Sequence, residues 1–108
     1  MTIRSYAVTV GDFDPVVYHR RTPAQARMAA WNSYLHYDSQ CSFRQFLSIS
    51  SITRVPSPAP VGELVTVCGK PAELISLSHR GDPEFMYVGS NTVMRAHYSE
   101  LVRKGTRQ

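Results

Sequence analysis

Cysteine is scarce in this 108-residue chain, which carries only Cys41 and Cys68. Two thiols do not make a disulfide framework, and nothing here calls for an oxidising compartment. The four histidines, His19, His36, His79 and His97, are scattered, with no H-x-x-x-H and no C-x-x-C near them. The spacings that mark structural zinc are therefore missing, and neither a metal nor any other cofactor is expected. The six glycines, at 11, 62, 69, 81, 89 and 105, stand alone, so there is no phosphate-cradling loop. G-x-S-x-G is absent. Asp12 and Asp14 in GDFD lack the rest of a calcium loop and read as turn acids. The apolar runs are too short to span a membrane. The opening MTIRSYAVTVGDFD lacks a basic stretch followed by an apolar one, so a cytoplasmic protein is expected.

What is present is an ordinary globular composition, 43% apolar and 19% charged, with a formal charge of +4. Arginine carries most of the positive charge: ten of the twelve cations are Arg, against Lys70 and Lys104. The guanidinium fork suits phosphate and carboxylate. Up to Val55 there are six cations (Arg4, Arg20, Arg21, Arg27, Arg44, Arg54) and three anions (Asp12, Asp14, Asp38), 6 − 3 = +3. Setting aside the tail RKGTRQ, the second half is net acidic. A basic binding face therefore belongs to the first half.

Periodicity predicts the elements. IRSYAVTV alternates, with Tyr6, Val8 and Val10 on one face, as a half-buried strand does. GDFDP turns the chain into a returning strand, VVYHR. Thr22, Pro23 and Gln25 form a capping box with proline at the first helical position, which starts a helix over about residues 23–37. Ser42 and Gln45 repeat the box, so SFRQFL predicts one helical turn with Phe43, Phe46 and Leu47 inward. SISSITRV, 48–55, leans to strand, and this segment and the first strand are the candidate sheet edges. PSPAP, 56–60, is a stiff connector. Beyond it, strands are expected at 63–68, 72–78, 85–88, 92–96 and 102–104, separated by tight turns and by the loop HRGDPE. The fold class is α+β: an antiparallel sheet with one amphipathic helix over residues 1–55, then a small β-barrel over 61–104, with a tail at 105–108.

The segments VTVCGKPAELISLS, HRGDPE, FMYVGSNTVMRA and HYSELV resemble the SH3-like barrel pattern of small bacterial and phage domains. In that pattern HYSEL is the single helical turn before the last strand, with Leu101 as its anchor. The first half, YAVTV…VVYHRRTPAQARMAAW…SFRQFLSI, resembles small proteins encoded in phages and prophages. The resemblance implies an accessory protein that occupies a surface of a host protein or protein–nucleic-acid complex. An inhibitor of a bacterial defence complex, in the manner of an anti-CRISPR protein, is its most concrete form.

The candidate partner-binding residues are Arg20, Arg21, Arg27 and Arg44, with Tyr34 and Tyr37 as stacking surface. The alternative use of the same residues is contact with DNA or RNA. No catalytic residue is assigned. Cys41 precedes a capping serine and aromatic anchors, which suits a packed junction. Arg95, His97, Tyr98 and Glu100 in VMRAHYSEL read as a barrel-closing strand and turn rather than an acid–base kit. A monomer or small homo-oligomer without membrane contact completes the expectation.

Overall fold

The computed structural model describes residues 2–58, 60–77, 83–97 and 101–103, and the chain divides into two compact units, Ile3–Pro56 and Ser57–Gln108.

In the first unit the alternating segment forms β1, Arg4–Val10, and its return forms β2, Val16–Arg20. Gly11 opens the turn between them at a φ of 52°, a conformation that side chains with a Cβ disfavour. Its N–H donates to the Ile49 carbonyl at 2.8 Å. The helix α1, Pro23–Tyr34, begins with the predicted box. Thr22 Oγ1 accepts from the Gln25 N–H at 3.2 Å, and Gln25 Oε1 accepts from the Thr22 N–H at 3.1 Å. The same Oε1 accepts from Arg21 N–H at 3.0 Å, so one amide oxygen serves two backbone donors at the helix start.

The helix is three residues shorter than its periodicity suggests. The N–H groups of His36 and Tyr37 donate to the carbonyls three residues back, Ser33 and Tyr34, at 3.2 and 2.8 Å. That tightening converts the last turn and ends the α geometry. The second box caps α2, Phe43–Ile49, which runs for seven residues rather than one turn. Phe46 is fully buried, but Leu47 is exposed. Successive helical residues point about 100° apart, and a short helix on a sheet buries one stripe only. Ser48 and Ile49 extend α2 instead of opening the strand, and β3 is Ser50–Val55.

Both β2 and β3 pair antiparallel to β1, giving the order β2-β1-β3. β1 is thus central and not an edge; the edges are β2 and β3. Tyr6, Val8 and Val10 point one way. Val8 meets Ala30, Cys41 and Phe46 in the core, with Val10, Tyr18, Trp31, Tyr34, Leu35 and Ile52 packed around them. Ala26 and Ala30 are buried, and their small side chains let the helix lie close to the strands. Phe46 is among the largest fully buried side chains, and truncating a site of this kind to Ala costs about 3–5 kcal/mol.

The second unit is a five-stranded antiparallel sheet in the order β7-β6-β5-β4-β8. The strands are β4 (Leu64–Val67), β5 (Lys70–Leu77), β6 (Pro83–Tyr87), β7 (Met94–Arg95) and β8 (Leu101–Arg103). Lys70 and Pro71, expected in a turn, belong to β5. Its core is Val65, Val67, Ala72, Leu74, Phe85 and Ala96, with Tyr87 against it. A register shift between Leu74 and Ser76 bulges β5 and leaves both Leu74 and Ile75 buried. β7 is only two residues long. Upstream of it, Ser90 Oγ accepts from the Thr92 N–H at 3.1 Å, a local turn that competes with strand pairing. Among the described residues no ladder joins β7 to β8, so the sheet is not closed through its edges. Most of the HRGDPE loop, the 98–100 segment with Glu100, and the tail lie outside the described residues.

Candidate functional site

The first unit sorts its charges by position. The β1–β2 register sets Arg4 opposite Arg20, and the β1–β3 register sets Arg54 opposite Tyr6. Like charges opposite one another on a sheet are destabilising, so this arginine pairing is not there for strand stability. Arg20 Nη1 donates to the His19 carbonyl at 2.8 Å, and its guanidinium carbon lies 6.0 Å from the Tyr18 ring centroid. Arg21 is 6% exposed and forms part of the buried set rather than an open surface. Arg27 is half-buried on α1 and Arg44 is exposed on α2. The arginines singled out from the sequence stand on different elements: Arg20 ends β2, Arg21 follows it before the helix, Arg27 is on α1 and Arg44 on α2.

At the opposite end of the same strands, where β1 turns into β2 and α1 ends, there is an open cleft of about 390 Å³. Val8, Val10, Val16 and Ala30 supply its aliphatic walls, and Phe13, Tyr18, Tyr34 and Tyr37 its rings; Ser33 and Asp14 complete it. That volume lies at the lower end of the roughly 300–1,000 Å³ usual for ligand sites. The rings are mutually braced. Phe13 stands edge-on to Tyr37, with centroids 5.0 Å apart at 80°, and edge-on to Tyr34 at 6.3 Å and 77°. Tyr34 in turn packs on Tyr37 at 5.5 Å and on the buried Phe46 at 5.8 Å.

Tyr34 and Tyr37 were legible as aromatics at helical spacing, and the structure brings both to the cleft. Phe13 and Asp14 were read only as turn residues. The available signal was a large apolar side chain in an otherwise polar turn: Phe13 is half exposed at 50%. Val16 is as open, at 52%. Large apolar groups left in water and rimmed by polar ones mark contact surfaces.

Burial raises the Tyr34 phenol pKa above its usual range, and the charge of Asp38 adds to the rise. Cys41 is similar: burial first, then Asp38, pushes its thiol up. Its Sγ donates to the Ser42 carbonyl at 3.5 Å, and the protonated form is the unreactive one. His97 is exposed. Among the described residues no three His, Cys, Asp or Glu side chains gather to hold a metal, and no helix is long and apolar enough to cross a membrane. No family model, curated protein or solved structure matches the chain.

Proposed function

We propose that this chain is a non-enzymatic binding protein that occupies a surface of a host protein, and that the cleft of the first unit is where it does so. The observation that carries this reading is the braced set Phe13, Tyr34 and Tyr37 beside exposed Val16. Aromatic side chains that are rigid and open to water are the usual anchors of protein contacts. The edge strand β2 borders the cleft and offers backbone groups to an added strand. A phage or prophage origin, action against a host defence complex, and an SH3-like barrel for the second unit rest on the resemblance of the quoted segments, and form part of the proposal.

The test is capture from bacterial lysate by the immobilised protein and by its Tyr37→Ala variant. Tyr37 is 71% exposed, so its truncation leaves the fold intact. One stoichiometric host protein retained by the parent and lost by the variant supports the reading. Equal retention by both removes the cleft from it.

The facing pair Arg4 and Arg20, with Arg54 nearby on β3, favours a second reading, phosphate contact with DNA or RNA. A salt titration on generic duplex and single strands distinguishes it, because phosphate contacts give a steep fall of affinity with salt. An absence of binding at low salt would sink it.

A further inference from the structure

The cleft combines an aromatic lining with one carboxylate, Asp14, in a chain whose formal charge is +4. The three acids of the first 55 residues are Asp12, Asp14 and Asp38. Two lie in the β1–β2 turn and the third just beyond α1, so all belong to the two segments that frame the cleft, and Asp14 lines it. Neither framing segment, 11–15 or 35–41, contains Lys or Arg, and none lines the cleft among the described residues. α1 has no basic residue in its last turn. That Asp38 adds to the raised phenol pKa of Tyr34 shows its charge felt at a ring of the lining.

A cation is therefore the favoured guest, held against ring faces by the quadrupole attraction that strengthens as water leaves. The walls also say which cation. An ammonium or guanidinium brings three or five N–H donors, each costly to bury unpaired. The side chains of Val8, Val10, Val16 and Ala30 make a wall without acceptors, on which methyl groups can rest and N–H donors cannot be paired; the acceptors of the lining are the Asp14 carboxylate and four hydroxyls. A cation without N–H groups incurs no such cost. The guanidinium carbon of Arg20 lies 6.0 Å from the Tyr18 ring centroid, so Tyr18 already has a cation beside it, and the rings open to a guest are Phe13, Tyr34 and Tyr37.

We propose that the cleft is a binding site for a quaternary ammonium group, seated among Phe13, Tyr34 and Tyr37 with Asp14 at its rim. This rests on the reading of the cleft as the recognition site and names the chemistry it recognises. The group has two sources, a small choline-type molecule or an N-trimethylated lysine on a protein.

The experiment is a titration of the whole protein, followed by amide NMR, with choline and with 3,3-dimethylbutan-1-ol, which has carbon in place of the charged nitrogen. Choline is expected to shift Phe13, Tyr34 and Tyr37 and to bind roughly fivefold or more tightly than the neutral analogue. Asp14→Asn should weaken choline severalfold and leave the neutral analogue unchanged. Tyr37→Ala should weaken both. A peptide carrying trimethyllysine that binds more tightly than choline, and than the same peptide unmethylated, assigns the site to a protein side chain; choline as the tighter ligand assigns it to a small molecule. Equal binding of choline and its neutral analogue, or tighter binding of the unmethylated peptide, overturns the proposal. If choline fails while Tyr37-dependent capture of a host protein succeeds, the ligand chemistry is wrong and the binding role stands.

Discussion

The indole N–H of Trp31 donates to the backbone carbonyl of Cys41 at 3.0 Å. This bond ties the last turns of α1 to the loop that leads into α2, and Phe43 packs edge-on against the same indole at 5.2 Å. Trp31→Phe keeps a ring for that stack but removes the donor. Such a loss at a part-buried carbonyl costs about 1–2 kcal/mol, visible as a lower urea midpoint with an unchanged m-value. An unchanged midpoint would mean that water replaces the indole without loss.

The capping box at Thr22 offers a second measurement. Thr22→Ala removes the acceptor for the Gln25 N–H and should destabilise the first unit by about 1 kcal/mol. Thr22→Ser should recover most of it, because the hydroxyl and not the methyl makes the bond. If Ala and Ser behave alike in thermal melts, the cap contributes nothing.

Among the described residues Cys68 is the non-glycine residue with positive φ, at 52°, in the two-residue turn between β4 and β5. Gly69 follows at 79°, so both turn positions are left-handed, as hairpins with the matching twist require. Cysteine is a poor choice for the first of them. Cys68→Asn is expected to raise stability by about 0.5–1 kcal/mol, and Cys68→Val to lower it. A Cys68→Asn protein that melts below the parent would contradict the turn assignment.

Alkaline pH should weaken the first unit. Tyr34 and Cys41 both have folded pKa values raised above the ordinary 10.0 and 9.0, through burial first and Asp38 second. In each case the folded state holds its proton more tightly than the unfolded one. Their contribution is therefore fully present below pH 9 and is lost as pH rises through the folded values. Denaturation followed from pH 8 upward should show the decline, and Asp38→Asn, which brings the folded values back toward the ordinary ones, should leave the onset in place and reduce the total loss. A larger loss in the variant would assign the effect to another group.

Local chemistry was readable where a few neighbouring residues decide the outcome. Thr22 with Gln25 and Ser42 with Gln45 named both helix starts because each box is a complete set of bonds within four residues. Strand pairing depends on distant partners, so β1 could be recognised as a strand but not as the centre of its sheet. Leu47 and Phe46 differ by one residue and in burial, and only the sheet beneath α2 decides which faces it. The cleft was half legible. Tyr34 and Tyr37 share a helical stripe, but Phe13 joins them only because the β1–β2 turn folds over the end of α1. The arginines could be counted but not placed: a count of charge in the first half says nothing about which end of a strand carries it.

The charges at the two ends of β1 are of opposite sign, which gives the sheet of the first unit a dipole along its strands. Arg4, Arg20, Arg21 and Arg54 cluster where β1 begins, and Asp12, Asp14 and Asp38 lie where it ends. In the field of a polyanion the unit would approach arginines first, with the aromatic cleft turned away from the charged surface and open to a second molecule. The two ends would then work in sequence, one setting the orientation of arrival and the other left free to choose what is held.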